Sequence, residues 1–157
     1  TEHCLFFAGR LYDIVRFARW LEVSCYYNLL NAMGIFLCQK GRVVETGMVN
    51  TYRMFRPAFP GQRLPLKITS PALVADLPVI DGMCLKNPRG IWLFLSNRSA
   101  NREAKITLEG LGAPAEHYAH AGEHPEAEFM EIKIRQQDGS LCLPPLSCVR
   151  LRYRSIG

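Results

Sequence analysis

No run in this chain is long and apolar enough to suggest a membrane span, which needs about 18 consecutive apolar residues. The nearest, residues 5–23, is interrupted by Arg10, Asp13, Arg16 and Arg19, so no membrane contact is expected. Thr1-Glu2-His3 has no initiator Met and no basic start of a secretory leader. Polybasic runs are missing as well. The 19 Lys and Arg outnumber the 14 Asp and Glu to give a net charge of +5, but they are scattered. A mildly basic, solvated surface is expected, with no nucleic-acid partner. Internal repeats and low-complexity tracts are also lacking. None of the six cysteines forms a C-x-x-C pair. Most lie in apolar runs, where free Cys behaves as a small hydrophobe. This argues against a metal site or a disulfide framework and for reduced thiols in a cytoplasmic or anaerobic setting. No metal or other cofactor is expected.

What is present is an ordinary globular composition, 48% apolar and 21% charged over 157 residues, which excludes intrinsic disorder. Leu5, Ala8, Leu11, Tyr12, Val15, Ala18 and Leu21 recur at spacings of three and four, the mark of one buried helical face. The spacing predicts a helix from about Glu2 to Leu21, with a face too wide for a small domain to cover. The run from Val23 to Leu30 is mostly apolar without alternation, as parallel strands buried on both faces are. Asn31-Ala32-Met33-Gly34 falls at its C-terminal end, the end that carries active-site residues in an α/β barrel. Gly41-Arg42 marks a turn. Thr46 to Phe55 reads as a second helix, closed by Pro57 and Pro60. The breaker-rich stretch from Arg56 to Gly61 is the best domain boundary.

Beyond Gly61 the pattern becomes β. Short strands are expected over Arg63–Ser70, Val79–Leu85, Ile91–Asn97, Glu103–Leu108, Phe129–Arg135 and Cys148–Tyr153. Lys105–Leu108 and Glu131–Arg135 alternate as half-exposed strands do. Asn87-Pro88-Arg89-Gly90 and Asp138-Gly139 are turn signals. The fold class expected is mostly β: an antiparallel, jelly-roll-like sandwich (residues 57–157) preceded by the terminal helix–strand–helix of a (β/α)8 barrel (residues 1–56). On this reading the chain is the tail of a larger protein.

The residues that carry a resemblance are Leu5-Phe6-Phe7-Ala8-Gly9-Arg10-Leu11, Asn28-Leu29-Leu30-Asn31 and Thr51-Tyr52-Arg53-Met54-Phe55. Leu95-Ser96-Asn97-Arg98-Ser99 and Leu143-Pro144-Pro145-Leu146-Ser147-Cys148-Val149 complete it. In order and spacing they resemble glycoside hydrolase family 51, the α-L-arabinofuranosidases, over nearly the whole chain. The resemblance implies a retaining glycosidase whose two glutamates act as nucleophile and as general acid/base, about 5–5.5 Å apart. In the family both precede the helix that opens this chain. No position here matches either motif, so no catalytic residue is assigned. The family's Gln at the end of the last barrel strand contacts the sugar in the catalytic subsite, and Asn31 matches it one methylene shorter. The implied partners are arabinose-containing oligo- or polysaccharides, reached through the parent enzyme, and the missing barrel portion. An exposed barrel face would also favour a homo-oligomer.

Other candidates read more plainly. Glu2, Glu22, Glu45 and Asp13 are isolated carboxylates, whereas glycoside hydrolysis needs a positioned pair. His117, His120 and His124 lie near Glu116, Glu123, Glu126 and Glu128, but Pro114, Gly122 and Pro125 make this stretch read as a solvated loop rather than a metal site or the seat of an independent enzyme. Asn97-Arg98-Ser99 is a glycosylation sequon whose plain reading is a strand-end turn. Trp20 and Trp92 are expected in the core. No exposed aromatic platform is evident, which counts against the alternative of a free-standing carbohydrate-binding or interaction module.

Overall fold

A computed structural model of the chain describes residues 1–24, 30, 34–137 and 139–154. Helix α1 (Glu2–Arg16) opens it. A hairpin of β1 (Phe36–Gln39) and β2 (Arg42–Glu45) turns at Lys40 and Gly41, both at positive φ. Helix α2 (Gly47–Phe55) follows, then a 3-10 turn, Arg56–Ala58. The strands after it are β3 (Gln62–Leu64), β4 (Ala72–Val74), β5 (Leu77–Pro78), β6 (Ile80–Asn87), β7 (Gly90–Asn97) and β8 (Ala104–Ile106). They continue with β9 (Glu116–Ala121), β10 (Met130–Ile132), β11 (Arg135–Gln137), β12 (Ser140–Leu143) and β13 (Ser147–Tyr153).

The architecture is an antiparallel β-sandwich. The main sheet runs β10-β9-β13-β7-β6-β3, and the second sheet β11-β12-β8. Strand β13 holds the centre, pairing with β7 from Ser147↔Asn97 to Tyr153↔Ile91 and with β9 from Ser147↔Ala121 to Arg152↔Glu116. Because side chains alternate along a strand, the main sheet has two buried faces. Met83, Leu85, Trp92, Phe94 and Cys148 face the helices. Cys84, Leu93, Leu95, Val149 and Leu151 face Leu141 and Leu143 of the second sheet. Ile91–Leu95 reads as nearly continuous apolar sequence because both of its faces are covered. The β6–β7 turn needs Gly90 (φ +140), where a Cβ would lie 2.2 Å from the Tyr153 carbonyl oxygen.

Helix α1 buries Leu5, Phe7, Ala8, Tyr12 and Val15. The expectation that so wide a face could not be covered is corrected: α2 and the main sheet cover it. Phe7 packs on Tyr52 and Tyr12 on Phe55, and Phe55 stacks on Phe94 with ring centroids 4.4 Å apart. The helix also ends earlier than its spacing suggests. Val15 is its last buried residue, Phe17 closes it with its N–H on the Asp13 carbonyl, and Phe17, Trp20 and Leu21 are exposed. Helical conformation in a protein rests mainly on tertiary packing, and past Val15 the apolar side chains of this segment have no surface to pack on. Thr46 caps α2, accepting from the Met48 N–H at 3.3 Å.

The expected strand over Val23–Leu30 lies largely outside the described residues, apart from an isolated parallel bridge between Leu30 and Phe36. Two further expectations are corrected. Residues 63–70 form a strand only as far as Leu64, and Phe129–Arg135 divides into β10 and β11, which belong to different sheets.

Candidate functional site

Asn31, the residue assigned to sugar contact, lies outside the described residues. The chain beside it is anchored: the Thr46 hydroxyl lies 3.1 and 2.9 Å from the Gly34 and Ile35 carbonyl oxygens, and the Thr46 N–H donates to Ile35 at 2.9 Å. The N-terminus of α2 is thereby tied to the segment that follows Asn31.

The isolated carboxylates stay apart. Glu2 and Glu22 are exposed. Glu45 pairs with Arg53 at 2.9 Å, and Asp13 with Arg16 at 2.9 Å. The buried carboxylate is one that sequence reasoning did not single out, Asp81 on β6, with 4% of its surface exposed. Arg16 from the end of α1 and Arg98 from the end of β7 both pair with it, Arg98 at 2.7 Å, while its Oδ1 accepts from the Gly82 N–H at 2.8 Å. Arg63 donates to the Arg16 carbonyl at 2.8 Å. With both oxygens engaged by guanidinium groups, this carboxylate docks α1 on the sheet. The signal available in the sequence was one acidic residue inside the apolar run 79–85.

The stretch with three histidines is corrected from loop to strand over its first half, where β9 (Glu116–Ala121) carries His117 and His120 between β13 and β10, while His124 lies in the turns that follow, as expected. Pro114, Gly122 and Pro125 flank the strand. His117 and His120 are three positions apart on the strand and so point to opposite faces of the sheet. Among the described residues no three His, Cys, Asp or Glu side chains are grouped to hold a metal ion. His120 is buried against Tyr118 and Phe129 at centroid distances of 4.8 and 5.5 Å. Burial lowers its pKa below the ordinary value, partly offset by Glu131.

Beside it, the Arg150 guanidinium lies 5.5 Å from the Trp92 ring and 5.0 Å from Tyr118, and donates to the Met54 carbonyl oxygen at 3.2 Å. This places a cation at the C-terminal end of α2, where the helix dipole favours one. Burial pushes the thiols of Cys4, Cys84 and Cys148 up, Cys84 to about 11. All three are therefore neutral and weakly nucleophilic at neutral pH.

The sequon Asn97 is fully buried. Its Nδ2 donates to the carbonyl oxygens of Arg102, Leu143 and Pro144 at 2.8, 3.1 and 3.0 Å, and its Oδ1 accepts from the Ser99 N–H at 3.0 Å. The Leu-Ser-Asn-Arg and Leu-Pro-Pro motifs thus meet in one clamp at the head of the β7–β13 pair. Trp92 is in the core, as expected, with its Nε1 donating to Asn87 Oδ1 at 2.8 Å. Trp20 is not: it is 66% exposed, 6.1 Å from Phe17 between ring centroids, with the Arg19 guanidinium 4.3 Å from its ring. An exposed aromatic pair therefore exists where none was evident from sequence.

No protein-family model matches the sequence, and no curated protein does. Solved structures match the fold. A family 51 arabinofuranosidase from Xanthomonas axonopodis pv. citri superposes with a TM-score of 0.78 at 18% identity, covering 95% of this chain and 34% of that one. The α-L-arabinofuranosidase of Thermotoga maritima in its arabinose complex gives 0.77 at 16%, covering 98% and 38%. A glycoside hydrolase family 30 xylanase from Clostridium acetobutylicum gives 0.62 at 10%, covering 94% and 38%. This chain spans little more than a third of the length of each. It has the fold of part of these glycosidases, and a C-terminal portion of a family 51 enzyme fits that coverage.

Proposed function

We propose that this chain is the C-terminal portion of a retaining α-L-arabinofuranosidase, an enzyme releasing arabinofuranosyl units from arabinose-containing polysaccharides in L-arabinose metabolism. Residues 1–56 are assigned to the last elements of its barrel and residues 57–157 to its β-sandwich. The catalytic glutamates are assigned to a part of the enzyme not represented here, and Asn31 to a sugar contact at the end of the last barrel strand. The observation that carries this reading is the fold match across 95% of the chain to a family 51 arabinofuranosidase. It gains support from the clamp that Asn97 makes between two motifs that resemble that family. The role of the sandwich is structural: it presents α1 and α2 on a rigid sheet.

The test is hydrolysis of 4-nitrophenyl α-L-arabinofuranoside by the purified chain, with its intact mass checked on the same sample. No turnover at the mass of this chain is expected. Turnover at that mass would place a catalytic carboxylate pair within these residues and overturn the assignment.

A second reading, a free-standing carbohydrate-binding module, is favoured by one observation, the exposed Phe17–Trp20 pair. It predicts heat on titration with arabino-oligosaccharides at millimolar concentration, lost in Trp20→Ala. A flat titration rejects it.

A further inference from the structure

The β1–β2 hairpin stands between the segment that follows Asn31 and helix α2, and its base is held firmly. Leu30 forms a parallel bridge with Phe36. The Thr46 N–H donates to the Ile35 carbonyl oxygen at 2.9 Å, and the Thr46 hydroxyl to the Gly34 carbonyl oxygen at 3.1 Å. Glu45 pairs with Arg53 of α2 at 2.9 Å. Burial falls away from that base. Gly34 is buried, Phe36 and Leu37 are half-buried, and every residue from Cys38 to Glu45 is exposed. The strands pair from Phe36↔Glu45 to Gln39↔Arg42, so the hairpin is about 13 Å long.

The chemistry of the tip is of one sign. Gln39, Lys40, Gly41 and Arg42 supply two cations, one amide and no carboxylate. Glu45, the acidic residue of the hairpin, lies at its base and is held by Arg53. Neither Lys40 nor Arg42 pairs with a carboxylate among the described residues. The two flank a single glycine and repel each other, a cost that a bound anion offsets. No aromatic ring belongs to the tip, so it offers a sugar no stacking platform. What it recognises is negative charge, and a guanidinium matches a carboxylate with two parallel N–H donors. Direction follows from the bridge at Leu30: β1 runs parallel to the chain there, so the hairpin points onward from the end that carries Asn31. With residues 1–56 assigned to the last barrel elements, that end is the catalytic face, whose rim is built from strand-to-helix connections such as this one.

We infer that Lys40 and Arg42 form a subsite for carboxylate groups of the substrate. The polysaccharide taken is then an acidic one, with uronate units near its arabinofuranosyl branches. The inference rests on the glycosidase reading for where the hairpin stands, and it names the substrate class of that same site. Arabinofuranosyl units are neutral. A tip about 13 Å beyond the base of the hairpin is clear of the sugar being released and lies beside the polymer that carries it. At that distance the hairpin separates one arabinose-containing polymer from another by the charge of the backbone.

The experiment is a titration of the isotopically labelled full chain with hexagalacturonate at low ionic strength, followed by amide chemical shifts. Saturable shifts centred on residues 39–43, with a midpoint on the order of 1–10 mM, are expected. Neutral arabinohexaose should leave those amides unmoved. The double variant Lys40→Gln/Arg42→Gln should weaken hexagalacturonate binding at least about fivefold, with circular dichroism confirming the fold. Lys67→Gln/Lys86→Gln removes the same charge from two exposed positions of the sandwich and should leave binding unchanged. Equal weakening in both variants would mean attraction to net charge alone and would overturn the inference. So would amides 39–43 that stay still up to about 30 mM hexagalacturonate, or that move as far with arabinohexaose. The titration reads no turnover, so its result is separate from that of the 4-nitrophenyl α-L-arabinofuranoside assay. An unmoved tip in a chain without turnover removes the uronate subsite and leaves the glycosidase assignment standing. Turnover at the mass of this chain overturns that assignment, and the placing of the hairpin with it.

Discussion

At the scale of single residues, His120 makes a measurable statement about pH. Its ring is enclosed by Tyr118 and Phe129, and its Nδ1 has no hydrogen-bond partner. Because burial lowers its folded pKa below the usual 6.5, the unfolded chain takes up the proton first as pH falls. Its contribution is complete above about pH 6.5 and is lost as pH drops below that toward the lowered folded value, with a slope of at most about 1.4 kcal/mol per pH unit. His120→Phe should remove that part of the acid sensitivity and leave stability at neutral pH unchanged or raised, since an unsatisfied buried polar atom disappears. Urea midpoints for both proteins at two pH values, one on each side of 6.5, will show whether the variant's advantage grows on the acid side as predicted. The same scale explains why the loop expectation around the histidines failed over 116–121. The buried residues of β9 are the adjacent pair Ala119 and His120, one small and one polar, a pattern that neither strand alternation nor hydropathy marks as core.

At the scale of elements, the docking of α1 combines two kinds of force. Apolar burial supplies most of the energy: Tyr12, Phe7 and Val15 pack under the sheet and α2. Orientation comes from polar groups. The Tyr12 hydroxyl lies 2.7 Å from Ser96 Oγ in the buried interface, and Asp81 gathers Arg16 and Arg98 at the helix's far end. Removing the carboxylate leaves Arg98, only 17% exposed in its side chain, without its counter-charge. Arg16 is 40% exposed and can turn to water, so the loss falls below the full cost of breaking a buried pair. Asp81→Asn should destabilise the protein by about 2–3 kcal/mol, with amide exchange accelerating most in the last turn of α1. A shift under about 0.5 kcal/mol would show that apolar packing alone holds the helix.

At the scale of the whole molecule, the open matter is whether residues 57–157 are a domain in their own right. One face of the main sheet is covered by the second sheet, and the other by α1 and α2. Deleting residues 1–56 would uncover Met83, Leu85, Trp92 and Phe94 together, a contiguous apolar surface on the sheet's centre. The expected outcome is that 57–157 alone associates or unfolds, recognised by light scattering and loss of a cooperative melt. A soluble, monomeric, cooperatively melting 57–157 would instead establish the sandwich as self-sufficient and the boundary at Arg56–Gly61 as a true domain border.

The sequence by itself determined the elements whose pattern is dictated locally. Thr46 and Pro57 bracket α2 because a hydroxyl caps and a proline ring stops a helix. Gly90 permits the β6–β7 turn, and Ile91–Leu95 is apolar throughout because both of its faces are buried. The sandwich class rested on such patterns, and the resemblance on the motifs at 5–11, 28–31, 51–55, 95–99 and 143–149. Only the tertiary structure decided which strand lies beside which, that Asn97 clamps the closing segment, and that a lone acidic residue in an apolar run meets arginines 65 and 17 positions away in sequence. It also decided that Trp20 faces solvent and that 65–69, strand-like in sequence, forms no strand. The physical reason is the same in each case. Local patterning records how much of a side chain prefers burial and which backbone angles it tolerates, whereas pairing and burial depend on what surface the rest of the chain brings to meet it.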